Sequence, residues 1–360
     1  MNDYLARARL IADDVLFPAA LDVDLSGTVP DSHYELLAEE GFYGIVAPAE
    51  IGGGGLDLSE VLNVLEVMAG GCLATTFTWM QHHGVVLALA DTDNTALWAE
   101  YLGSMVAGRV RAGVALSGVL TRPARVHATR VADGYLLSGE SPFVSGWDCL
   151  DVLLVSASEK DSDGADLIVS GLVDRAALSS AVRVDRLDLG AGQATNTVRL
   201  TFDDYLLPAD RVTRQVRRAE FDAGQWFVAR VNASLSLGVT GRCVRLLDEH
   251  GGQDVAATFA AQLTGARAGL DAALEVPDAR PAAPARAAEL AYRAAGATVA
   301  ALGDVAILAG HHAQRLVRDA MFVLVAGCRP EVRAGVVDLF GRSPGTVHDG
   351  PASGAAVSRR

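Results

Sequence analysis

Two adjacent histidine pairs, His82-His83 and His311-His312, are the densest sets of potential ligands or proton carriers in this 360-residue chain. Neighbouring residues on a helix project about 100° apart, so neither pair can hold one ion between its two rings. A helix surface or a satisfied polar contact is the plain expectation for both. The four cysteines (Cys72, Cys149, Cys243 and Cys328) are widely scattered with no C-x-x-C pair, which argues for reduced thiols rather than a disulfide framework or a zinc site. "GGGG" at 52–55 lacks the lysine of a phosphate cradle and follows no strand pattern, so it reads as a turn before a helix. Glu331 follows Pro330 at what looks like a helix start, where a carboxylate ordinarily complements the helix dipole. No metal centre is expected, and none of these local motifs names a reaction.

Charge narrows the classes of partner. With Lys+Arg 30 against Asp+Glu 44, the formal net charge is −14. Phosphate binding needs clustered basic residues and no basic stripe is present, so neither a nucleic-acid nor an anionic-membrane partner is expected. The segment "MNDYLARARLIADDV" is amphipathic and carries Asp3, Asp13 and Asp14, unlike a secretory signal. No apolar run reads as long enough for a membrane span. A cytoplasmic location is the expectation.

The elements that would position any site follow from periodicity. Residues 1–111 read as helical: "YLARARLIADDVLFPAALD", "DSHYELLAEEGF" and "LDLSEVLNVLEVMAGG" place apolar residues three and four apart, with Asp57 or Ser59 as an N-cap. The texture changes near 112. "TNTVRLTFDDYLLPADRV" alternates, with Val198, Leu200 and Phe202 on one side and Thr197, Arg199 and Thr201 on the other, and a β domain over 112–215 is expected. From 216 to 342 long helical stretches rich in Ala, Gly and Ser suit an antiparallel bundle. The polar tail 343–360, with its Gly and Pro, reads as flexible. The predicted fold class is α+β: an N-terminal helical domain, a middle β-barrel or sheet domain, and a C-terminal four-helix bundle.

That order resembles the acyl-CoA dehydrogenase family, and several stretches carry the likeness. "GFYGIVAPAEIGGGGLDLSEVLNVLE" (41–66) is similar to the family's glycine-rich turn and helix. "ADGYLLSGESPFVSG" (132–146) resembles "DGYVLNGEKTWITN". "RLTFDDYLLPADRV" (199–212) resembles "FDDVRVPADNLL", and "RLVRDAMF" (315–322) resembles "RLYRDARV". The resemblance implies FAD between the β domain and the bundle, with an acyl-CoA thioester over the flavin. A carboxylate would take the α-proton as a hydride leaves the β-carbon. Phe143, Val144 and Ser145 fall where the family packs on the flavin ring, and Ser117 falls where a hydroxyl contacts it. By the same alignment "TWMQHHGV" lies near the acyl pocket, making His82 and His83 candidate substrate contacts.

The departures bear on function. The loop after Ser117 is several residues shorter than the family's. The arginine motif for the FAD pyrophosphate is absent, leaving Arg267 and Arg286 as unplaced substitutes. The usual catalytic glutamate aligns with Ala326, before Gly327, and the position used by a minority of members aligns with Ala229. Glu220, Asp222 and Glu331 are the neighbouring carboxylates, with Glu331 a weak candidate base. The resemblance therefore implies a base-lacking subunit of a heteromeric α,β-dehydrogenase, associated with a catalytically complete family member. Fatty-acyl or steroid side-chain metabolism is the setting it suggests. A self-sufficient FAD- or FMN-dependent oxidoreductase or monooxygenase of the same fold is the alternative. A non-enzymatic acyl-CoA-binding or scaffold protein is the third reading, and a homo- or hetero-oligomer is expected in each case.

Overall fold

A computed structural model of the chain describes residues 4–160, 164–327 and 329–342; the expected flexible tail and Cys328 lie outside the described residues. Helices come first: α1 (Tyr4–Leu10), a π-type turn, α2 (Phe17–Ser26), α3 (Asp31–Glu39), α4 (Leu58–Gly71), α5 (Leu73–Ala90) and α6 (Thr95–Val106). The start of α4 is fixed by a reciprocal capping box. Glu60 N–H donates to Asp57 Oδ1 at 2.8 Å, and Asp57 N–H donates to Glu60 Oε2 at 2.9 Å. Beyond it Val61, Leu65 and Met68 turn inward on one face.

The strands are β1 (Ala112–Ala115), β2 (Val126–Val131), β3 (Gly134–Val144), β4 (Val152–Lys160), β5 (Asp166–Asp174), β6 (Val182–Arg186), β7 (Val198–Pro208) and β8 (Val212–Arg217). They form one sheet in the order β6-β7-β3-β2-β4-β5-β8, with β1 parallel to β4. Val198, Leu200 and Phe202 of β7 are buried, as alternation requires, but the buried side then switches to Tyr205 and Leu207. The switch occurs at a bulge. Leu137 pairs with Tyr205 while Gly139 pairs with Phe202, and Asp204 adopts φ 50 with its carboxylate accepting from Ser138 Oγ at 2.6 Å.

The last layer comprises α7 (Arg218–Glu249), α8 (Gln253–Glu275), α9 (Ala282–Leu302), α10 (His312–Val323) and α11 (Pro330–Phe340). Helices α7 to α10 pack as a bundle and α11 lies against α9. Alanines 287, 288, 291, 294 and 295 fill the buried side of α9, which lets its neighbours approach closely. The first and last layers share one core: Leu65 and Met68 of α4 join Leu235 and Val239 of α7 and Leu316 of α10. A Cβ added to Gly238 would lie 2.3 Å from the Glu66 carbonyl oxygen, so only glycine permits this contact.

The sequence reading that no segment reaches membrane-span length needs correction. Pro277–Ile307 is long and apolar enough by length and composition. Its abundant alanine raises hydropathy without bulk. Most of the segment is α9, packed against α7, α8, α10 and α11.

Candidate functional site

The end of β3 presents Phe143, whose side of the sheet is uncovered: the residue is 60% exposed. Ser117, in the turn after β1, supports it. Phe143 N–H donates to Ser117 Oγ at 3.2 Å, and Ser141 Oγ lies 3.0 Å from the same oxygen. The next two residues face elsewhere. Val144 is fully buried opposite Val198, and Ser145 Oγ lies 2.7 Å from Thr197 Oγ1, which in turn lies 2.7 Å from Thr195 Oγ1. An exposed aromatic ring beside a half-exposed hydroxyl fits a planar flavin ring. Val144 and Ser145 contribute to the sheet behind it.

The shortened loop after Ser117 closes on itself, with Arg125 N–H donating to Gly118 O at 2.6 Å. Its Arg122 reaches α7 and forms an ion pair with Asp222. Asp222 is a junction, because Arg218 Nε also donates to its carboxylate at 2.9 Å and Arg329 Nη1 donates to its backbone carbonyl at 3.2 Å. Arg329 stacks over Trp226 at 4.4 Å and lies 3.3 Å from Glu331. Glu331 is exposed in the first turn of α11 and held by that arginine.

Between α7, α9 and the turn after α10 lies a small cleft open to solvent, and Ala229 and Ala326 both line it. The two positions aligned with alternative family bases, 97 residues apart in sequence, thus meet at one place. None of the lining residues is acidic; Asn232, Ser236 and Arg329 supply the polar groups. Gly327 holds the turn with φ 63. A Cβ there would sit 2.4 Å from Asn232 Nδ2, and the Asn232 amide donates to Gly327 O at 3.4 Å. Asn232 and Arg329 carry no sequence signal, since each gains its place only when the turn closes on α7.

The histidines are accounted for differently. His82 is 1% exposed; its Nδ1 accepts from Ala112 N–H at 3.1 Å, so Nε2 carries the proton donated to Met105 O, also at 3.1 Å. It ties α5 to α6 and β1, and burial pushes its pKa down to about 3. His83 is buried edge-on to Trp79 with neither ring nitrogen partnered among the described residues, and burial holds it well below the usual range. His311 caps α10, accepting from Ala313 N–H at 3.1 Å, and His312 stacks on Phe17 at 4.1 Å. Among the described residues no group of three or more His, Cys, Asp or Glu could hold a metal ion. Of the two arginines considered for a pyrophosphate, Arg267 is bound by Glu66 at 3.0 Å and Arg286 is exposed on α9.

Comparison with known proteins places this geometry. The family model "Acyl-CoA dehydrogenase, N-terminal domain" matches residues 2–109. L-evernosamine nitrososynthase of a Micromonospora strain is 30% identical over 220 residues, covering 57% of this chain and 51% of that protein. The chain spans about half the length of the curated relatives it matches. Among solved structures, glutaryl-coenzyme A dehydrogenase in its glutaryl-CoA complex superposes with a TM-score of 0.82 at 18% identity, covering 94% of both chains. The KijD3 protein in complex with FMN and a dTDP-linked amino keto sugar gives 0.77 at 22% identity, covering 94% of this chain and 90% of that one. These likenesses show the same fold along nearly the whole described chain. Residues 2–109 thus match the N-terminal domain of the acyl-CoA dehydrogenase family, and the described chain has the fold of acyl-CoA dehydrogenases.

Proposed function

We propose that the chain is a flavin-binding subunit of an acyl-CoA dehydrogenase that lacks its own base and works beside a catalytically complete family member. The observation that carries this reading is the cleft shared by Ala229 and Ala326, with no acidic residue in its lining. An α-proton next to a thioester is weakly acidic, and its removal needs a desolvated carboxylate together with donors on the thioester carbonyl. Arg329 and Asn232 supply donors at the cleft, but no carboxylate among the described lining residues can accept the proton. Phe143 would pack against the flavin ring and Ser117 would contact its edge. When bound, the flavin accepts the hydride. FAD is the cofactor proposed, and an acyl-CoA thioester the substrate.

The test is co-expression with a complete family member, followed by an absorbance spectrum and an α,β-dehydrogenation assay of the purified complex. Alone, the chain should be colourless or weakly yellow and inactive; in the complex it should co-purify with activity. A stoichiometrically yellow, active homo-oligomer would reject the proposal. Binding of CoA thioesters without flavin would identify a non-catalytic binding protein instead.

A second reading, a self-sufficient flavin monooxygenase, is favoured by the 30% identity to a nitrososynthase and by the FMN and amino-sugar complex of the same fold. Chemistry that needs no α-proton base is compatible with alanine at both positions. Oxygen consumption by the isolated, flavin-loaded chain on addition of reductant separates this reading from the first.

A further inference from the structure

Beside Phe143 the uncovered side of the sheet carries a group of charges, and strand pairing fixes which residues share that side. Ser141 pairs with Leu200 and Val144 with Val198, and all four are buried. Between these pairs Pro142 and Phe143 oppose the single residue Arg199. Pro142 is buried, so Phe143 shares the open side with Arg199. Glu140 pairs with Thr201, two residues on from Arg199, and therefore projects to the same side. Arg125 joins them from the end of the short loop after Ser117, where its carbonyl accepts from the Glu140 N–H at 2.9 Å.

Arg125 and Arg199 share one carboxylate, and loosely. Arg125 Nη1 lies 3.4 Å from Glu140 Oε1, and Arg199 Nε lies 3.5 Å from Glu140 Oε2. Both contacts are long for a charge-assisted bond. Nearby pairs close further, Arg186 with Asp148 to 2.6 Å and Arg218 with Asp222 to 2.9 Å. The Arg199 Nε–H is enclosed by protein and donates to no atom among the described residues. Two guanidiniums against one carboxylate leave a net positive charge and spare N–H donors. Both side chains are about half-exposed and accessible from solvent. On β6 the next pair out, Arg183 with Asp185, is closed at 3.1 Å.

We propose that Arg125 and Arg199 bind the phosphate attached to the ribityl chain of the flavin nucleotide. The proposal rests on the flavin placement given under Proposed function. A flavin ring on Phe143 carries that phosphate on a short tether, and neighbouring strands lie only about 5 Å apart. The two guanidiniums offer forked donors matched to phosphate oxygens, and their excess positive charge offsets its negative charge. Glu140 holds the pair in place without fully satisfying either member. The role otherwise falls to Arg267 or Arg286, but Arg267 is bound by Glu66 and both belong to the bundle helices α8 and α9. FMN and FAD share this phosphate, so the pair recognises either nucleotide and does not recognise riboflavin in the same way.

The experiment is titration of riboflavin, FMN and FAD with the full chain, alone and in complex with its co-expressed partner, read by flavin fluorescence. FMN and FAD should bind about tenfold tighter than riboflavin, an advantage that shrinks as salt is raised. Arg125→Gln and Arg199→Gln should each cut that advantage about threefold and together abolish it, with riboflavin affinity unchanged. Arg286→Gln on α9 should alter none of the three. If one variant does not fold, the other carries the test. Equal affinity for riboflavin and FMN in the wild type would mean that the arginines are a solvated surface group only. That result, or a full phosphate advantage in either folded variant, overturns the proposal while leaving the flavin reading intact. Failure of all three ligands to bind, in the chain and in the complex, removes the flavin reading itself and this proposal with it.

Discussion

The bundle cleft and the junction cavity, the latter lined by Tyr34, Tyr43, Trp79, His82 and Arg111 where α3 and α5 meet β1, hold different sets of polar groups. In the cleft, alanine occupies both positions that the family resemblance aligns with a carboxylate, and the arginine present, Arg329, is engaged by Glu331, by the Asp222 carbonyl and by Trp226. In the cavity, the Arg111 guanidinium lies over the Tyr34 ring at 5.4 Å, and the buried Trp79 N–H has no partner among the described residues. A site can lose one reaction by a change from carboxylate to methyl at no cost to packing, because alanine fits any helical turn. An unpaired buried donor such as the Trp79 N–H, by contrast, is expensive to keep.

Five results would break or sharpen that contrast. The largest expected effect is His82→Leu, which leaves the Ala112 N–H and the Met105 carbonyl buried without partners and removes a wall of the junction cavity. Stability should fall by about 3 kcal/mol, read as a lower urea midpoint at constant m-value; a loss below about 1 kcal/mol would show that the latch is dispensable.

Acid should act through the same residue. Its folded pKa, about 3, lies below the ordinary 6.5, so the stability it contributes is complete above pH 6.5 and lost as pH falls toward about 3. By pH 4.5 the loss should be on the order of 2.5 kcal/mol, with buried His83 acting in the same direction. Unfolding free energy that stays flat between pH 6.5 and 4.5 would contradict this.

In the cleft, Ala326→Glu should raise dehydrogenation by the flavin-loaded chain about 100-fold over wild type, at the low end of what a positioned base contributes. No gain would place the loss of chemistry beyond that one residue. Gly327→Ala, at φ 63 and against Asn232, should cost about 1–2 kcal/mol in thermal or denaturant unfolding; a neutral result would mean that the turn can relax. Smallest is Arg122→Gln. Its ion pair with Asp222 joins the short loop to α7, but the arginine side chain is 67% exposed, so the change in stability should stay below about 1 kcal/mol. A larger effect would mean that the loop holds the cleft in shape.

Much of the architecture was legible because it is written locally. The capping box at Asp57 and Glu60, the helical spacing of Val61, Leu65 and Met68, and the alternation through Phe202 are all contained within one element. The change of buried side after Phe202 was not, because it depends on a bulge against β3 that only strand pairing reveals. The family likeness drew attention to Ala229 and Ala326, while their meeting in one cleft is a product of helix packing. Arg111 was the least legible. In "GRVRAGVAL" it looks like any polar lead-in to a strand, and the residues that give it meaning, Tyr34, Tyr43 and Trp79, come from three separate helical segments.

The glycine contact between α4 and α7 sets a timetable for biosynthesis. Leu65 and Met68 leave the ribosome well before the part of α7 that covers them, and the Gly70 carbonyl waits for Arg242, which donates to it at 2.6 Å. At about 5–20 residues per second, roughly ten to thirty seconds separate the two halves of that interface. During the interval the nascent N-terminal helices expose the apolar face that α7 later covers. A fragment ending after α6 should therefore be insoluble when expressed alone, although it contains a recognisable family domain.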